Sequence, residues 1–333
     1  MVRRPTTEIG ELACMSLSFE TVGARMCRVS MVVAALAIGS VEAAAAGWTE
    51  KPFNPAPGSR WQVVSELERS ETTVEDGNRV VVNLKKTVTS ELVFHEKTAD
   101  GGYRITFTRT DTKASGDTRE LALVRIDHGI MKGLAIRAVT DPNGKPLRVE
   151  NVEDIRRKRQ EIADGFAATV PGADKDAFLR VVEGLTTVDE VGATTHLADL
   201  ELLAMAQNTG LRPGEKRRST AAVPSGIDGP PLSRARELSI LRTDAATGNA
   251  TMLLTETYTQ ESMREFMAVI ARRSGDVRPS DMRRMKMTFK NRFEIGVVDG
   301  MSRTLTEDSL TASTLLGESM SIRDKRKVTV SPL

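Results

Sequence analysis

The chain is poor in the residues that usually announce chemistry. It has two cysteines, three histidines and two tryptophans in 333 residues. Both cysteines, Cys14 and Cys27, precede residue 28, so the rest must hold together without a disulfide or a thiolate ligand. Aromatic residues make up only 4 % of the chain. Base stacking and sugar stacking both need aromatic platforms, so neither ligand class is favoured. The net charge is +2, with no basic excess to draw nucleic acid. No apolar run reaches the roughly 20 residues of a membrane-spanning helix.

The motifs of catalysis and cofactor binding are missing too. There is no HExxH, GxSxG, GxGxxG or Walker sequence. The three histidines lie far apart: His95 at a strand end beside Glu96, His128 in the turn-like Asp127-His128-Gly129, and His196 opening a helix. A zinc site without cysteine would need all three plus a carboxylate, so surface or capping roles are the better reading. Ser225 lies in a Pro/Gly loop, away from the strand–turn–helix setting of an activated serine. Asp141-Pro142-Asn143-Gly144-Lys145 has its glycine fourth, which suits a turn and not a calcium loop. The expectation is no catalytic residue, no cofactor and no metal ligand.

What is present begins with MVVAALAIGSVEAAAAGW, Met31–Trp48. Its apolar centre is short and Glu42 ends it. Arg25 and Arg28 stand before it, and Ala43–Ala46 after it. These are the parts of a secretory signal peptide, with cleavage near Ala45 or Ala46. An Ala-rich core helix is the plainer reading, but the run has no periodic polar face. Met1, Met15 and Met26 are all candidate starts. The expectation is a cleaved segment 1–46 and a single exported, periplasmic domain over 47–333.

Strand signals follow the Pro-rich leader Trp48–Gly58. Trp61, Val63 and Leu67 share one face. Val80, Val82, Leu84, Val88, Leu92 and Phe94 share the next, a row broken only by Lys86 and Ser90. Asp76-Gly77-Asn78 turns the first strand into the second. Tyr103, Ile105 and Phe107 alternate with polar residues, and Leu121–Ile126, Leu134–Val139 and Leu147–Val149 read as further strands. The period then changes. Val152, Ile155, Ile162 and Phe166 fit a helix capped by Asn151. Ala177–Leu185 fits a second helix, and Leu197, Leu200, Leu203 and Ala204 a third, ended by Gly210 and Pro213. The segment at about 151–210 is therefore a helical insertion.

Strands resume at Glu215–Val223, Arg236–Arg242 and Thr251–Thr259. A helix follows, with Ser262 and Glu265 at capping-box spacing and Met263, Phe266, Met267 and Ile270 on one stripe. Then comes RMKMTFKNRFEIGVVD, Arg284–Asp299. Met285, Met287, Phe289, Phe293, Ile295 and Val297 have one parity, and Arg284, Lys286, Lys290, Arg292 and Glu294 the other. At roughly 3.3 Å per residue this spans over 40 Å. So long a strand with one wet face belongs to an antiparallel sheet covered on one side. Asp299-Gly300 turns that strand into Met301–Thr306, and Met320–Ile322 with Val328–Val330 suggest a last strand. The expected fold is α+β and mainly β: a long curved antiparallel sheet of about ten strands, an open half-barrel, with about four helices covering its apolar face.

Two features could bind a partner. Met263, Phe266, Met267, Met285, Met287, Phe289 and Phe293 would line an apolar hollow between sheet and helices, and thioethers suit adaptable binding surfaces. An ordinary core is the plainer reading of the same residues. Arg284, Lys286, Lys290 and Arg292 form a basic row that could meet an anionic surface. Cross-strand pairing with glutamates such as Glu66, Glu68 and Glu91 explains it more simply.

The hairpin Tyr103–Asp117, the turn TDPNGKPLRVEN and the segment FEIGVVDGMSRTLTEDS carry a resemblance in pattern. The chain resembles the periplasmic lipoprotein-carrier (LolA-like) half-barrels, and a family of uncharacterised exported bacterial domains with the same texture. The long helical insertion departs from the carrier pattern. The resemblance implies a hollow able to take acyl chains, with a lipid or lipoprotein as partner. The expected function is non-catalytic binding of a hydrophobic ligand or an envelope partner. A structural envelope protein with a fully packed core is the alternative, and an enzyme of another class the third reading.

Overall fold

The structure, a computed structural model, describes residues 48–75, 77–167, 195–223, 232–265, 268, 286–315 and 318–333. The signal-peptide segment, the helix read at Ala177–Leu185, and Phe266, Met267, Arg284 and Met285 lie outside the described residues.

Alternating apolar residues build the strands. Along β9 (Lys286–Val298) every second residue is buried, from Met287 to Val297. That is the signature of a sheet with one covered face. The other strands are β1 (Arg60–Glu75), β2 (Asn78–Lys97), β3 (Tyr103–Gly116), β4 (Ala135–Thr140), β5 (Pro146–Val149), β6 (Lys216–Val223), β7 (Leu232–Asp244), β8 (Asn249–Tyr258), β10 (Met301–Leu315) and β11 (Glu318–Pro332). They form one antiparallel sheet in the order β5-β4-β3-β2-β1-β11-β10-β9-β8-β7-β6. The sheet is open, with β5 and β6 at its edges. Each half is a meander, and the two halves join where β1 pairs with β11 in the middle.

Among the described residues, helices α1 (Thr118–Met131), α2 (Val152–Ala167) and α3 (Ala198–Ala204) lie between the strands, the last entered through a 3-10 turn at Thr195–Leu197, and a further helix starts after Thr259. The core lies between the covered face and these helices. Ile105, Ile136, Phe293, Ile295, Leu305 and Val328 rise from the sheet, and Met131, Ile155, Leu200 and Leu203 come down on them. Phe53, Phe94 and Tyr103 close one end in an edge-to-face trio with centroids 5.5–5.8 Å apart. Edge-to-face contact sets the positive rim of one ring against the negative face of the next.

The structure corrects several local readings. Leu121–Ile126 is helix, not strand, and His128 lies inside α1. Glu120, Leu121, Ala122 and Leu123 are good helix formers, and that propensity overrides a short apparent alternation. Asn151 does not cap α2 with its side-chain oxygen. That oxygen accepts from Arg137 N at 2.8 Å, and its amide donates to Ala135 O, tying the helix to β4. The helix read from Ser262 starts earlier: Thr259 Oγ1 accepts from Ser262 N at 3.2 Å, as an N-cap does. β10 runs on to Leu315, beyond the expected end at Thr306, and the expected last strand is the single β11.

Candidate functional site

The covered face is not uniformly apolar. Arg69, Asp324, Ser309, Asn291, Glu256 and Arg236 stand opposite one another, in turn, across six adjacent strands. All share the parity of the core residues, so they form a polar belt on the covered face. Asp324, Ser309, Asn291 and Glu256 are all at most 4 % exposed. Arg69 grips Asp324 with two parallel bonds of 2.8 Å. Arg236 and Arg234 reach Glu256 at 2.6 and 3.2 Å. Arg326 holds Asp199 of α3 at 2.6 Å and Glu307 at 2.7 Å. A bidentate guanidinium satisfies a buried carboxylate better than any other side chain does.

The belt settles the register of the sheet. A slip of one residue would turn every apolar side chain to solvent. A slip of two would keep the alternation but would part Arg69 from Asp324, setting each against an apolar or like-charged neighbour. Breaking such a pair leaves a buried charge uncompensated, at about 3–5 kcal/mol.

The belt divides the covered face into two compartments. The first holds the main core, and α3 is seated in it. Its seat is fastened at the rim: Ser302 Oγ donates to Leu203 O at 2.7 Å, Gln207 Nε2 to Asn143 O at 2.8 Å, and Asn208 Oδ1 accepts from Phe53 N at 2.8 Å. Glu50 of the leader accepts from Thr209 N and Gly210 N. The space left beside Leu200, Leu203, Phe53 and Phe94 is about 20 Å³, enough for about one water and too small for a ligand. The second compartment lies beyond the belt. Met287, Phe289, Ile322 and Leu232 line it, Leu84 borders it opposite Arg69, and Met263 is buried at the start of the helix that follows Thr259. Tyr258 meets Phe289 edge-to-face at 6.1 Å.

The residues singled out from sequence fall as follows. Met263, Met287, Phe289 and Phe293 are buried on the covered face. They are not one group: Phe293 belongs to the main core, and the other three lie across the belt from it. Lys286 is exposed, and Lys290 and Arg292 are half-buried on the opposite face. Arg292 pairs with Glu294 of its own strand at 2.6 Å. Glu68 and Glu91 pair with Lys85 and Arg60 instead of that row. Among the described residues, no three His, Cys, Asp or Glu gather as a metal site. No described helix is long and apolar enough to cross a membrane.

A second charged group sits where α1 and the 3-10 turn face β2 and β3. Arg109 Nη1 donates to Asp127 of α1 at 2.6 Å, and Arg159 of α2 meets His196 at 2.8 Å. Burial works to raise the Asp127 carboxyl, but the Arg109 and Lys86 charges hold it below its ordinary value. Burial lowers the Lys86 ammonium, Asp127 opposes that fall, and Arg109 and Arg69 add to it. Among the described residues, Lys86 has neither a hydrogen bond nor an ion pair.

No protein-family model and no curated protein sequence matches the chain. Nine solved chains match in structure. One is lipovitellin, from a study of its lipid–protein interactions, with a TM-score of 0.42 and 9 % identity, covering 83 % of this chain and 25 % of that one. The chain thus spans a quarter of the lipovitellin chain. DynF from the dynemicin biosynthesis pathway of Micromonospora chersina has a TM-score of 0.16 and 9 % identity, over 90 % and 95 % of the two chains. A DUF1329 family protein from Desulfovibrio piger has a TM-score of 0.12 and 8 % identity, over 81 % and 83 %. All three scores are under 0.5, and these likenesses carry no argument about what the chain does.

Proposed function

We propose that the chain is an exported, periplasmic, non-catalytic binding protein that takes a hydrophobic ligand in the compartment beyond the belt. One observation carries the reading. Met287, Phe289, Tyr258 and Met263 gather an adaptable, greasy lining on the covered face, divided from the packed core by charge. Thioethers and aromatic rings repack around ligands of varied shape at little cost. The sheet is open, so a ligand can enter from an edge without parting a closed ladder.

A second reading has its own support. Below the belt, the space beside Leu200 and Leu203 of α3 is only about 20 Å³, as in a core that packs itself. If the other compartment is filled the same way, the protein is a structural component of the envelope acting through its surface.

Native mass spectrometry of protein purified from its own cells separates the two. Retained lipid, together with uptake of a fluorescent fatty acid, supports the ligand reading. A clean protein mass with no uptake selects the packed one. N-terminal sequencing of the same sample checks the cut near Ala45 or Ala46.

A further inference from the structure

The uncovered face of the sheet carries a hollow of its own. It lies across β6, β7 and β8, opens to solvent and holds about 550 Å³. Arg218, Glu237 and Thr255 stand opposite one another across these strands, and Thr220, Ala235 and Thr257 form the next row. Their parity is opposite to that of buried Leu238, Leu254 and Glu256, which puts them on the uncovered face. Ala235 keeps the floor low, with a single methyl between two longer side chains. Both rows run on into β9, where Thr255 stands opposite Arg292 and Thr257 opposite Lys290. Glu237 accepts from Lys216 at 2.7 Å and Arg218 at 2.8 Å, and those bonds hold its carboxyl below the ordinary range. Arg292 is taken by Glu294. Half-buried Lys290 is in a different state: among the described residues it has no hydrogen bond and no ion pair. The hydroxyls of Thr220, Thr255 and Thr257 make no hydrogen bond within the fold either.

We propose that this hollow binds a phosphorylated polyol, its phosphate toward Lys290 and its hydroxyls along Thr220, Thr255, Thr257 and Glu237. The hollow falls within the roughly 300–1,000 Å³ of small-molecule sites. Three strand spacings, roughly 14 Å, separate β6 from β9, which is room for one short polyol with a phosphate at its end. A phosphate offers several oxygens to an ammonium and to hydroxyl donors. The polyol hydroxyls donate in turn to the lone pairs that Lys216 and Arg218 leave on Glu237. No aromatic ring is among the described residues that line the hollow, so recognition is by hydrogen bond and charge, without stacking. A glycerophosphate group occurs free and as a lipid headgroup, and the same lining reads either. The site lies on the other side of the sheet from the compartment beyond the belt and does not depend on the ligand reading above.

The test titrates glycerol 3-phosphate and glycerol into the 15N-labelled protein and follows the backbone amides. Glycerol 3-phosphate should shift Thr220, Ala235, Thr255 and Thr257, and should bind at least tenfold more tightly than glycerol, the order expected of one charge-assisted hydrogen bond. Lys290→Gln should remove that preference. Lys325→Gln takes an exposed charge from β11, on the same face but outside the hollow, and should leave it unchanged. The amide spectra also show whether each variant keeps its fold. Co-sedimentation with phosphatidylglycerol and with phosphatidylcholine vesicles separates the sources. Binding to phosphatidylglycerol that Lys290→Gln abolishes and Lys325→Gln spares assigns the group to a lipid headgroup. Binding of glycerol 3-phosphate without the vesicles assigns it to a free solute. If glycerol binds as tightly as its phosphate, or Lys325→Gln weakens binding as much as Lys290→Gln, the proposal is overturned. It is also overturned if glycerol 3-phosphate shifts none of these amides and neither vesicle binds.

Discussion

Arg69 on the first strand of the sheet donates two parallel 2.8 Å hydrogen bonds to Asp324 on the last strand, directly across the ladder that joins the two meanders. Asp324 is 4 % exposed. Asp324→Ala leaves a guanidinium without its carboxylate and should cost about 3–5 kcal/mol, read as a lower urea midpoint. The double variant Arg69→Met, Asp324→Leu removes both charges and should recover most of that loss. A double variant weaker than either single one would mean that the pair does not act as a unit.

Glu307 predicts an acid-side signature. Burial raises its carboxyl above the ordinary 4.5, Arg326 opposes that, and the Asp324 and Asp199 charges add to the rise. Two carboxylates share one guanidinium here, and Glu307 is the more buried of them. Between 4.5 and the raised value the folded chain holds a proton that the unfolded chain has lost. Stability contributed by this group is therefore full below 4.5 and declines as pH rises through that window. Glu307→Gln should flatten this part of the profile, measured by urea unfolding at steps from pH 4 to 7. An unchanged profile would show that Glu307 titrates as it does in the unfolded chain.

The seat of α3 predicts a packing cost. Leu203 is 4 % exposed and touches a void of only about 20 Å³. Leu203→Ala should destabilise by about 2–5 kcal/mol through lost burial and the cavity it leaves. A loss under 1 kcal/mol would mean that α3 lies loosely and that the compartment below the belt can open.

One side chain of the leader binds the loop after α3 three times. Glu50 accepts from Thr209 N at 2.7 Å, Thr209 Oγ1 at 3.1 Å and Gly210 N at 2.6 Å. Glu50→Gln keeps the shape and removes the charge, and should cost about 1.5–3 kcal/mol at this clasp. The readout is limited proteolysis within 48–58, which should quicken in the variant. Equal cleavage rates would assign the anchoring of the leader to its other contacts, among them the Phe53 ring trio and the Asn208 bond to Phe53 N.

The sheet was legible because its strands alternate without ambiguity. β9 reads off Met287, Phe289, Phe293, Ile295 and Val297, and each is buried as the parity requires. The stripe Leu197, Leu200, Leu203 likewise predicts the buried face of α3. The belt was not read. Asn291, Glu256, Glu307 and Asp324 each look like a lapse in one strand's pattern, and only the register shows them to be one row. The available signal is a single inward polar residue in strand after strand, and Lys86 is such a break in β2. The α1 error has a different cause. Six residues with apolar side chains at several positions satisfy both periods, and tertiary packing chooses between them.

The pairing of β1 with β11 has a consequence for how the molecule comes into being. Those strands lie side by side at the centre of the sheet, yet most of the chain separates them in order of synthesis. A polypeptide emerging from its N-terminus can zip β1 to β2 at once, but the other flank of β1 stays bare until Glu318–Pro332 arrives. Such long-range closure is slow and leaves a sticky edge in the meantime. The nascent protein must therefore be shielded until its last fifteen-residue strand is delivered.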